Sequence, residues 1–364
     1  MPLRPRPEVA GLTACPHGGP DYAELRAMGL SPEAVLDFSV SASPFPPPVA
    51  VGRVLANVDV ARYPDPEATG LRQCLAARLG VAPDNIIAGN GAVELIRLIA
   101  LTYFGGEDSI LVLEPAFGEY RLAAQIMGAE VLSLRARAGD GFVPRLGEVV
   151  GAIREHRPRG VFIGQPASPT GQYLSRRAVE TIRDALGEGL LVLDEAFIAF
   201  VSRAWPSLGL VSTGNVIVVR SMTKDYALAG LRLGYAVAAP EIIENLRRVR
   251  PPWHVNAAAQ RAGVAALEDT GYLARCRRKV RRAKAYLVAG LGEAGLEVVP
   301  SRANFFLVRV GDGRGFRAAL LERGILVRDA ASFGLPEYVR IAPRTLPECR
   351  RLVAAVNDVM KERR

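Results

Sequence analysis

From about residue 70 onward, apolar residues fall into short runs separated by longer segments with helical periodicity. A run of four to eight apolar residues bounded by turn-forming residues is typical of a buried strand. Strands that alternate with helices form a parallel sheet, which needs a helical layer on each face. The pattern predicts an α/β fold with a doubly wound, mostly parallel sheet. Its seven predicted strands are 85–88, 109–113, 130–134, 160–164, 190–193, 215–219 and 233–238.

The pattern changes after Pro251-Pro252, where a long amphipathic helix is predicted at 256–292. Strands and helices then follow in an order that indicates a second, smaller α+β domain. These elements are a strand at 304–310, a helix at 315–323, strands at 325–328 and 338–342, and a terminal helix.

The first fifty residues are rich in proline and end in Pro44-Phe45-Pro46-Pro47-Pro48, which can form neither a helix nor a central strand. We therefore predict three parts. An extended N-terminal arm, 1–50, contributes to the small domain, 51–252 form the large domain, and 253–364 form the small domain.

The length and composition of the chain indicate a folded protein of more than one domain. The 364 residues are 49% apolar and 23% charged, which favours two or three globular domains over disorder. No apolar run approaches the roughly 20 residues of a membrane span, and arginines and prolines stand where the apolar part of a signal peptide belongs. The four cysteines are scattered without a CxxC pair, so we expect no disulfide framework and no metal site. These features favour a cytoplasmic protein with no membrane partner.

The formal net charge of +9 raises the question of nucleic-acid binding. The densest basic stretch, 275–284, continues into an amphipathic pattern and lacks interleaved aromatic residues. A solvated helix face explains it, so we expect no nucleic-acid partner, whereas small anionic substrates remain compatible with the charge.

Candidate chemistry lies at the ends of the predicted strands, where ligands bind in open α/β folds. Ser221-Met222-Thr223-Lys224 follows the strand at 215–219, and Arg232 comes eight residues after the lysine. Hydroxyls and a guanidinium suit a phosphate, and a lysine with a lowered pKa can attack an aldehyde. Taken alone, Lys224 is equally compatible with a surface lysine in a loop.

Three further strand ends carry weaker signals. Asp194 ends a buried strand and needs a cationic or hydrogen-bonding partner, which a protonated pyridine nitrogen or an arginine could provide. The run 88–95 passes through glycines into a helix start and predicts an anion site, although it does not match GxGxxG. The run 165–171 is a proline-rich turn.

Together the order and spacing of these motifs resemble the fold-type I pyridoxal-phosphate enzymes, in the branch of histidinol-phosphate aminotransferases and threonine-phosphate decarboxylases. The resemblance covers nearly the whole chain. Its motifs are Tyr63-Pro64-Asp65-Pro66, Gly89-Asn90-Gly91-Ala92-Val93-Glu94, Glu114-Pro115-Ala116-Phe117, Pro169-Thr170-Gly171, Asp194-Glu195-Ala196-Phe197, Ser221-Met222-Thr223-Lys224, Gly230-Leu231-Arg232-Leu233-Gly234-Tyr235 and Asn304-Phe305-Phe306.

The resemblance implies roles for these residues. Lys224 would bond to the cofactor aldehyde, Asp194 would pair with the pyridinium nitrogen, and Phe117 would stack on the ring. Tyr63 would reach the phosphate of the neighbouring subunit in a homodimer. The residues implied to hold the phosphate within one subunit are Gly91, Ala92, Val93, Ser221, Thr223 and Arg232. The residues implied to bind a small phosphorylated amino-acid substrate are His17, Gly18, Ser41, Arg328 and Arg340.

Two features favour the decarboxylase branch. Pro16-His17-Gly18-Gly19, followed by Leu36-Asp37-Phe38-Ser39, looks like the N-terminal signature of the threonine-phosphate decarboxylases of cobalamin biosynthesis. Phe197 stands where the aminotransferases usually have tyrosine. We therefore expect decarboxylation of L-threonine O-3-phosphate to (R)-1-aminopropan-2-yl phosphate, with a histidinol-phosphate or related aminotransferase as the alternative.

The chain also departs from the family pattern. Ser168 stands where an asparagine amide bonds the phenolic oxygen of the cofactor, and Ser41 and Ser43 replace asparagines of the N-terminal segment. These departures leave the cofactor assignment intact and keep another amino-acid substrate open. A transcription regulator built on the same domain would need an N-terminal winged helix. The roughly 60 residues that precede the large domain are rich in proline and do not favour one.

Overall fold

A computed structural model describes residues 3–362 of the chain. Its strands are β1 (Leu36–Asp37), β2 (Ile86–Asn90), β3 (Ser109–Glu114), β4 (Glu130–Arg135), β5 (Gly160–Gly164), β6 (Leu190–Asp194), β7 (Val216–Ser221), β8 (Leu233–Val237), β9 (Glu297–Val298), β10 (Phe306–Arg309), β11 (Ile325–Leu326), β12 (Arg328–Asp329) and β13 (Tyr338–Ile341). Its α-helices are α1 (Pro7–Ala10), α2 (Tyr22–Ala27), α3 (Val49–Leu55), α4 (Thr69–Leu79), α5 (Gly91–Tyr103), α6 (Glu119–Ile126), α7 (Leu146–His156), α8 (Arg176–Leu186), α9 (Met222–Asp225), α10 (Pro240–Val249), α11 (Ala257–Glu268), α12 (Tyr272–Glu293), α13 (Gly313–Leu321) and α14 (Leu346–Glu362).

The main sheet has seven strands in the order β2-β8-β7-β6-β5-β3-β4. Strand β8 is antiparallel to both of its neighbours, and the other pairs are parallel. This sheet confirms the predicted fold class, and the seven predicted strands match it with small shifts at their ends. Because β5, β6 and β7 run in the same direction, their carboxyl ends meet at one edge, where Gly164 lies opposite Asp194.

Helices cover both faces of this sheet, as two separate apolar cores show. Along β6, Leu191 and Leu193 pack in one core with residues of α4, α7, α8 and α11. Val192 points the other way, into a core with residues of α5, α6 and α10. Alternate side chains of one strand are thus buried on opposite faces, which is why its sequence is apolar throughout.

The C-terminal part of the chain forms an antiparallel sheet in the order β12-β13-β10-β9. Helices α12, α13 and α14 pack on it and contribute to a third core. The N-terminal arm joins this part, because β1 pairs in parallel with β11 and Phe38 is fully buried in the same core.

Two expectations about local structure were wrong. The helix predicted at 256–292 is two helices, α11 and α12, because Asp269 accepts the backbone N–H of Gly271 at 3.2 Å and interrupts the helical hydrogen bonding. The arm is not extended throughout, since it contains α1, α2 and β1. Its proline cluster at 44–48 has neither helix nor strand, as predicted.

Candidate active site

A cavity of about 610 Å³ opens at the carboxyl ends of β6 and β7, between the main sheet, the arm and the C-terminal part. Most residues with a predicted site role line it. These are His17, Gly18, Ser41, Ala92, Val93, Phe117, Ser168, Asp194, Ser221, Thr223, Lys224, Arg232, Arg328 and Arg340. Gly91 and Tyr63 are not part of this lining.

Lys224 lies in α9, the short helix that begins directly after β7. Its Nζ is 5.8 Å from the ring centroid of Phe197. Burial, followed by the positive charges of Arg340 and Arg232, lowers the pKa of Lys224 to about 8, against the opposing effect of Asp194. The neutral amine, which is the form that attacks an aldehyde, is therefore more populated near neutral pH than in an ordinary lysine.

Asp194 ends β6 with a buried carboxylate that is held at both oxygens. Oδ2 accepts the phenolic hydrogen of Tyr120 at 2.7 Å, and Oδ1 accepts the backbone N–H of Ala196 at 2.9 Å. Burial raises the pKa of Asp194, while these two hydrogen bonds and Lys224 act in the opposite direction. The carboxylate oxygens keep free lone pairs with which to accept a hydrogen bond from a protonated ring nitrogen.

Sequence reasoning missed Tyr120. Its ring packs against Phe117 edge to face, with the two centroids 5.7 Å apart, and burial raises its pKa well above the ordinary value, so that its hydroxyl stays protonated. The spacing could have indicated it. Tyr120 lies three residues after Phe117, and its N–H donates to the carbonyl of Phe117 at 3.2 Å, so one turn of chain brings the two rings together.

The start of α5 lies beside the other donors of the predicted anion site. Gly91 has a φ of 79°, and a Cβ there would lie 2.7 Å from Nη2 of Arg232, so the residue must be glycine for the guanidinium to approach. The hydroxyls of Ser221 and Thr223 lie 2.5 Å apart. Helix N–H groups, two hydroxyls and a guanidinium are the donors that a phosphate requires.

Two arginines of the C-terminal part face the cavity. Arg340 is buried, and its terminal nitrogens donate to Ser168 Oγ and to the carbonyl of Ser39, both at 2.9 Å. Arg328 donates to the carbonyl of Pro16 at 2.9 Å and to Ser332.

Within residues 3–362, the Nε of neither guanidinium has a hydrogen-bond partner. Burial, reinforced by Arg328, lowers the pKa of Arg340 to about 10. Two guanidinium groups with unused N–H donors favour an anionic ligand.

Ser168 therefore has a partner that the sequence did not indicate. We expected its hydroxyl to serve the phenolic oxygen of the cofactor, and it accepts a hydrogen bond from Arg340. A hydroxyl can accept one hydrogen bond and donate another, so its own hydrogen remains available to a ligand in the cavity.

The arm supplies one wall of the cavity. Gly18 lies so close to the main chain that a Cβ would be 2.6 Å from the carbonyl oxygen of Ser39. Ser41 is buried, and its hydroxyl has no partner among the residues described. His17 donates from Nε2 to Glu119 at 3.1 Å.

Tyr63 lies apart from this cavity. Its side chain is largely exposed and stacks on Trp253 with the ring centroids 4.4 Å apart. This position is compatible with the expected contact to a neighbouring subunit.

Taken together, the residues fit pyridoxal phosphate. A buried amine with a lowered pKa, a buried carboxylate with free lone pairs, an aromatic ring and an anion site line the same cavity. Within the described part of the chain, no cluster of His, Cys, Asp and Glu could hold a metal ion, and no helix is long and apolar enough to cross a membrane.

Comparisons with known proteins agree with this geometry. A model of the family "Aminotransferase class I and II" matches residues 33–356. The histidinol-phosphate aminotransferase of Moorella thermoacetica is 38% identical over 82% of this chain and 78% of its own length. The structure of the Sinorhizobium meliloti histidinol-phosphate aminotransferase in complex with pyridoxal-5'-phosphate aligns with a TM-score of 0.89 and 26% identity, over 100% of this chain and 99% of that one. The structure of the L-threonine-O-3-phosphate decarboxylase of Porphyromonas gingivalis aligns with a TM-score of 0.79 and 25% identity, over 89% of this chain and 99% of that one.

Proposed function

Because the chain belongs to the class I and II aminotransferase family, whose cofactor is pyridoxal 5'-phosphate, we propose that it transfers the amino group of a phosphorylated substrate of the histidinol-phosphate type. The sequence alone put the decarboxylase first. The names of the relatives support the alternative, since curated proteins at 38% and 35% identity are histidinol-phosphate aminotransferases.

The observation that carries the proposal is the shared cavity of Lys224, Asp194, Arg328 and Arg340. An aminotransferase of the proposed type would bind a phosphorylated amino donor and a dicarboxylic amino acceptor in turn at one site. Two guanidiniums with unused N–H groups are suited to both kinds of anion.

The protein side of the reaction follows from the arrangement. Bound pyridoxal phosphate supplies an electron sink for the bonds at the substrate Cα. Asp194, oriented by Tyr120, would hold the proton on the ring nitrogen. Lys224, with its lowered pKa, would take the proton from Cα and return it. Arg340, fixed by Ser168 and the arm, would hold the substrate anion and so select the bond that stands perpendicular to the ring.

We further propose that the enzyme is a homodimer in which Tyr63 completes the phosphate site of the other subunit. The support is its position, because a large aromatic pair, Tyr63 and Trp253, stands exposed on a single subunit. Exposed aromatic residues of this kind are enriched at interfaces between proteins.

Decarboxylation of L-threonine O-3-phosphate is the second candidate, and one observation favours it. His17 and Gly18, which resemble the decarboxylase signature, line the same cavity as Lys224. Gly18 also packs against Ser39, the residue whose carbonyl accepts from Arg340. The decarboxylase from Porphyromonas gingivalis shares the fold at 25% identity.

The test is a comparison of products. Purified enzyme loaded with cofactor is mixed with histidinol phosphate or with threonine phosphate, with and without 2-oxoglutarate, and both glutamate and carbon dioxide are measured. We expect glutamate from histidinol phosphate that depends on 2-oxoglutarate, and no carbon dioxide. Carbon dioxide from threonine phosphate without an oxo acid would instead support the second candidate. Lys224→Ala serves as the control that should abolish either product.

A further inference from the structure

Residues 15–19 of the arm form a segment that crosses the cavity, and we refer to it as the strap. Cys15, Pro16, His17 and Gly18 all line the cavity. The strap is tied to the C-terminal part of the chain, because Arg328 donates to the carbonyl of Pro16 at 2.9 Å. It is also tied to the rest of the arm, because the N–H of Gly19 donates to Ser39 Oγ at 2.8 Å.

On the side of the main sheet, a single side chain holds the strap by a hydrogen bond within the described structure. Glu119 is 4% exposed, and its Oε1 accepts from His17 Nε2 at 3.1 Å. It does not line the cavity, so it does not itself contact a molecule bound there. Its position at the first residue of α6, two residues after Phe117, places it behind the cavity wall.

A buried carboxylate needs a cationic partner, and Glu119 has one in addition to His17. Arg97 donates to Oε2 from Nη2 at 2.6 Å and from Nε at 3.2 Å. The hydrogen bond from His17 lowers the pKa of Glu119 most, and Arg97 lowers it further, so that the carboxylate stays ionised against the effect of burial. Arg97 lies on α5, whose first turn is the anion site. A charged network thus joins the strap to the helix that carries the anion site.

The strap also packs closely against the residues that precede Glu119 in the chain. A Cβ on Gly118 would lie 2.7 Å from Sγ of Cys15, so the thiol rests directly on the main chain that precedes Glu119. The ring of His17 also lies near Phe117, with the centroids 5.7 Å apart. The bond between Glu119 and His17 therefore holds the imidazole beside the ring expected to stack on the cofactor, in the same segment as the packed thiol.

We propose that Glu119 is a positioning residue that holds the strap in place as a wall of the active site, and through it controls the binding of substrate but not of cofactor. This proposal deepens the proposed function and rests on it for the kinetic part of the test alone. A substrate must fit between the strap and the two arginines, whereas the anion site and Asp194 do not contact Glu119. Loss of the carboxylate should weaken substrate binding and leave the cofactor in place.

The test uses three readouts on the full-length enzyme and on Glu119→Ala and Glu119→Gln. The first is the rate at which iodoacetamide alkylates Cys15, followed by mass spectrometry of its peptide. The rate is measured across a range of pH and compared as the rate constant of the thiolate, because burial and then the charge of Glu119 itself raise the pKa of this thiol. The second is the dissociation constant of pyridoxal phosphate, from its absorbance. The third is the KM and kcat of the reaction. Glu114→Gln is the matched control, because Glu114 also has two basic partners, Arg121 and Arg135, but does not line the cavity.

We expect Glu119→Ala to raise the alkylation rate of Cys15 and the substrate KM about tenfold, the effect of losing one hydrogen bond to a charged group. The cofactor dissociation constant and kcat should change by about twofold or less, well below the effect of such a bond. Glu119→Gln, which keeps an acceptor for His17, should recover much of the loss, and Glu114→Gln should behave as the parent.

An unchanged alkylation rate and KM in Glu119→Ala would overturn the proposal. So would an equal weakening of cofactor binding, because that result would assign Glu119 to the stability of the large domain. If the parent enzyme lacks the proposed aminotransferase activity but the alkylation result holds, the proposed function fails and the positioning role of Glu119 stands.

Discussion

Replacing Tyr120 by phenylalanine tests how the structure holds Asp194 in its charged form. The change removes one hydroxyl, whose oxygen lies 2.7 Å from Asp194 Oδ2, and keeps the ring stacked on Phe162 at 5.1 Å between centroids. No new cavity larger than one oxygen results. The cost is therefore that of a hydrogen bond to a buried charged group, about 1.5 to 3 kcal/mol in the free energy of unfolding.

The pH dependence of this loss has a definite sign. Burial raises the pKa of Asp194, so the folded protein binds a proton more readily there than the unfolded chain, and stability falls as pH rises between the unfolded and the folded pKa. Tyr120→Phe raises the folded pKa further. The variant should therefore lose most stability at neutral pH, where Asp194 must be ionised, and less as the pH falls and the carboxyl takes up a proton.

The assay is urea unfolding of the cofactor-free parent and variant at neutral and at mildly acidic pH. Tyr103→Phe is the matched control, because its hydroxyl makes a long contact of 3.4 Å with Asn245 and should cost about 0.5 kcal/mol or less. A loss below about 0.5 kcal/mol in Tyr120→Phe at neutral pH would refute the idea that this hydrogen bond supports a buried charge.

The remaining predictions concern the cofactor and the subunit contact. In the loaded enzyme, borohydride should fix the cofactor to Lys224, and a lysine adduct that persists in Lys224→Ala would refute the assignment. In the cofactor-free protein, Lys224→Met should raise the free energy of unfolding below pH 8, and urea titrations should show the gain shrinking as pH rises toward 10.5, since the folded pKa of about 8 lies below the ordinary value. Tyr63→Ala should weaken cofactor binding in the dimer, measured by absorbance titration, and a monomer that binds cofactor with full affinity would contradict the shared site. Ser168→Ala should raise the substrate KM about tenfold by removing the acceptor of Arg340 Nη1, whereas Ser168→Asn should bind cofactor at least as tightly as the parent.

The fold could be predicted well because its signal is local. The inner strands of the main sheet are short buried runs, and β6 is apolar from Leu190 to Leu193, so that the runs stand out from the helices between them. The break between α11 and α12 was missed because the apolar periodicity continues across it. The break depends on the Asp269 side chain competing for a backbone N–H, which periodicity does not reveal.

The site residues that directly follow a strand could be predicted from the sequence. The residues that form hydrogen bonds with them from distant parts of the chain were missed. Lys224 and Asp194 follow their strands, and the structure brings both to one cavity. The partner of Asp194 is Tyr120, 74 residues away, and the partner of His17 is Glu119, 102 residues away. Such pairs depend on the arrangement of the sheet and the arm, which no local pattern in the sequence specifies.

The most direct test of the central claim follows the bond at the amine-bearing carbon of the substrate. Loaded enzyme is mixed with histidinol phosphate in heavy water without an oxo acid, and the proton signal of that carbon is followed by nuclear magnetic resonance. An aminotransferase breaks the bond to hydrogen there, so we predict that the signal disappears with enzyme and persists with Lys224→Ala. A signal that persists with the parent enzyme, while threonine phosphate is converted to aminopropanol phosphate and carbon dioxide, would contradict the account.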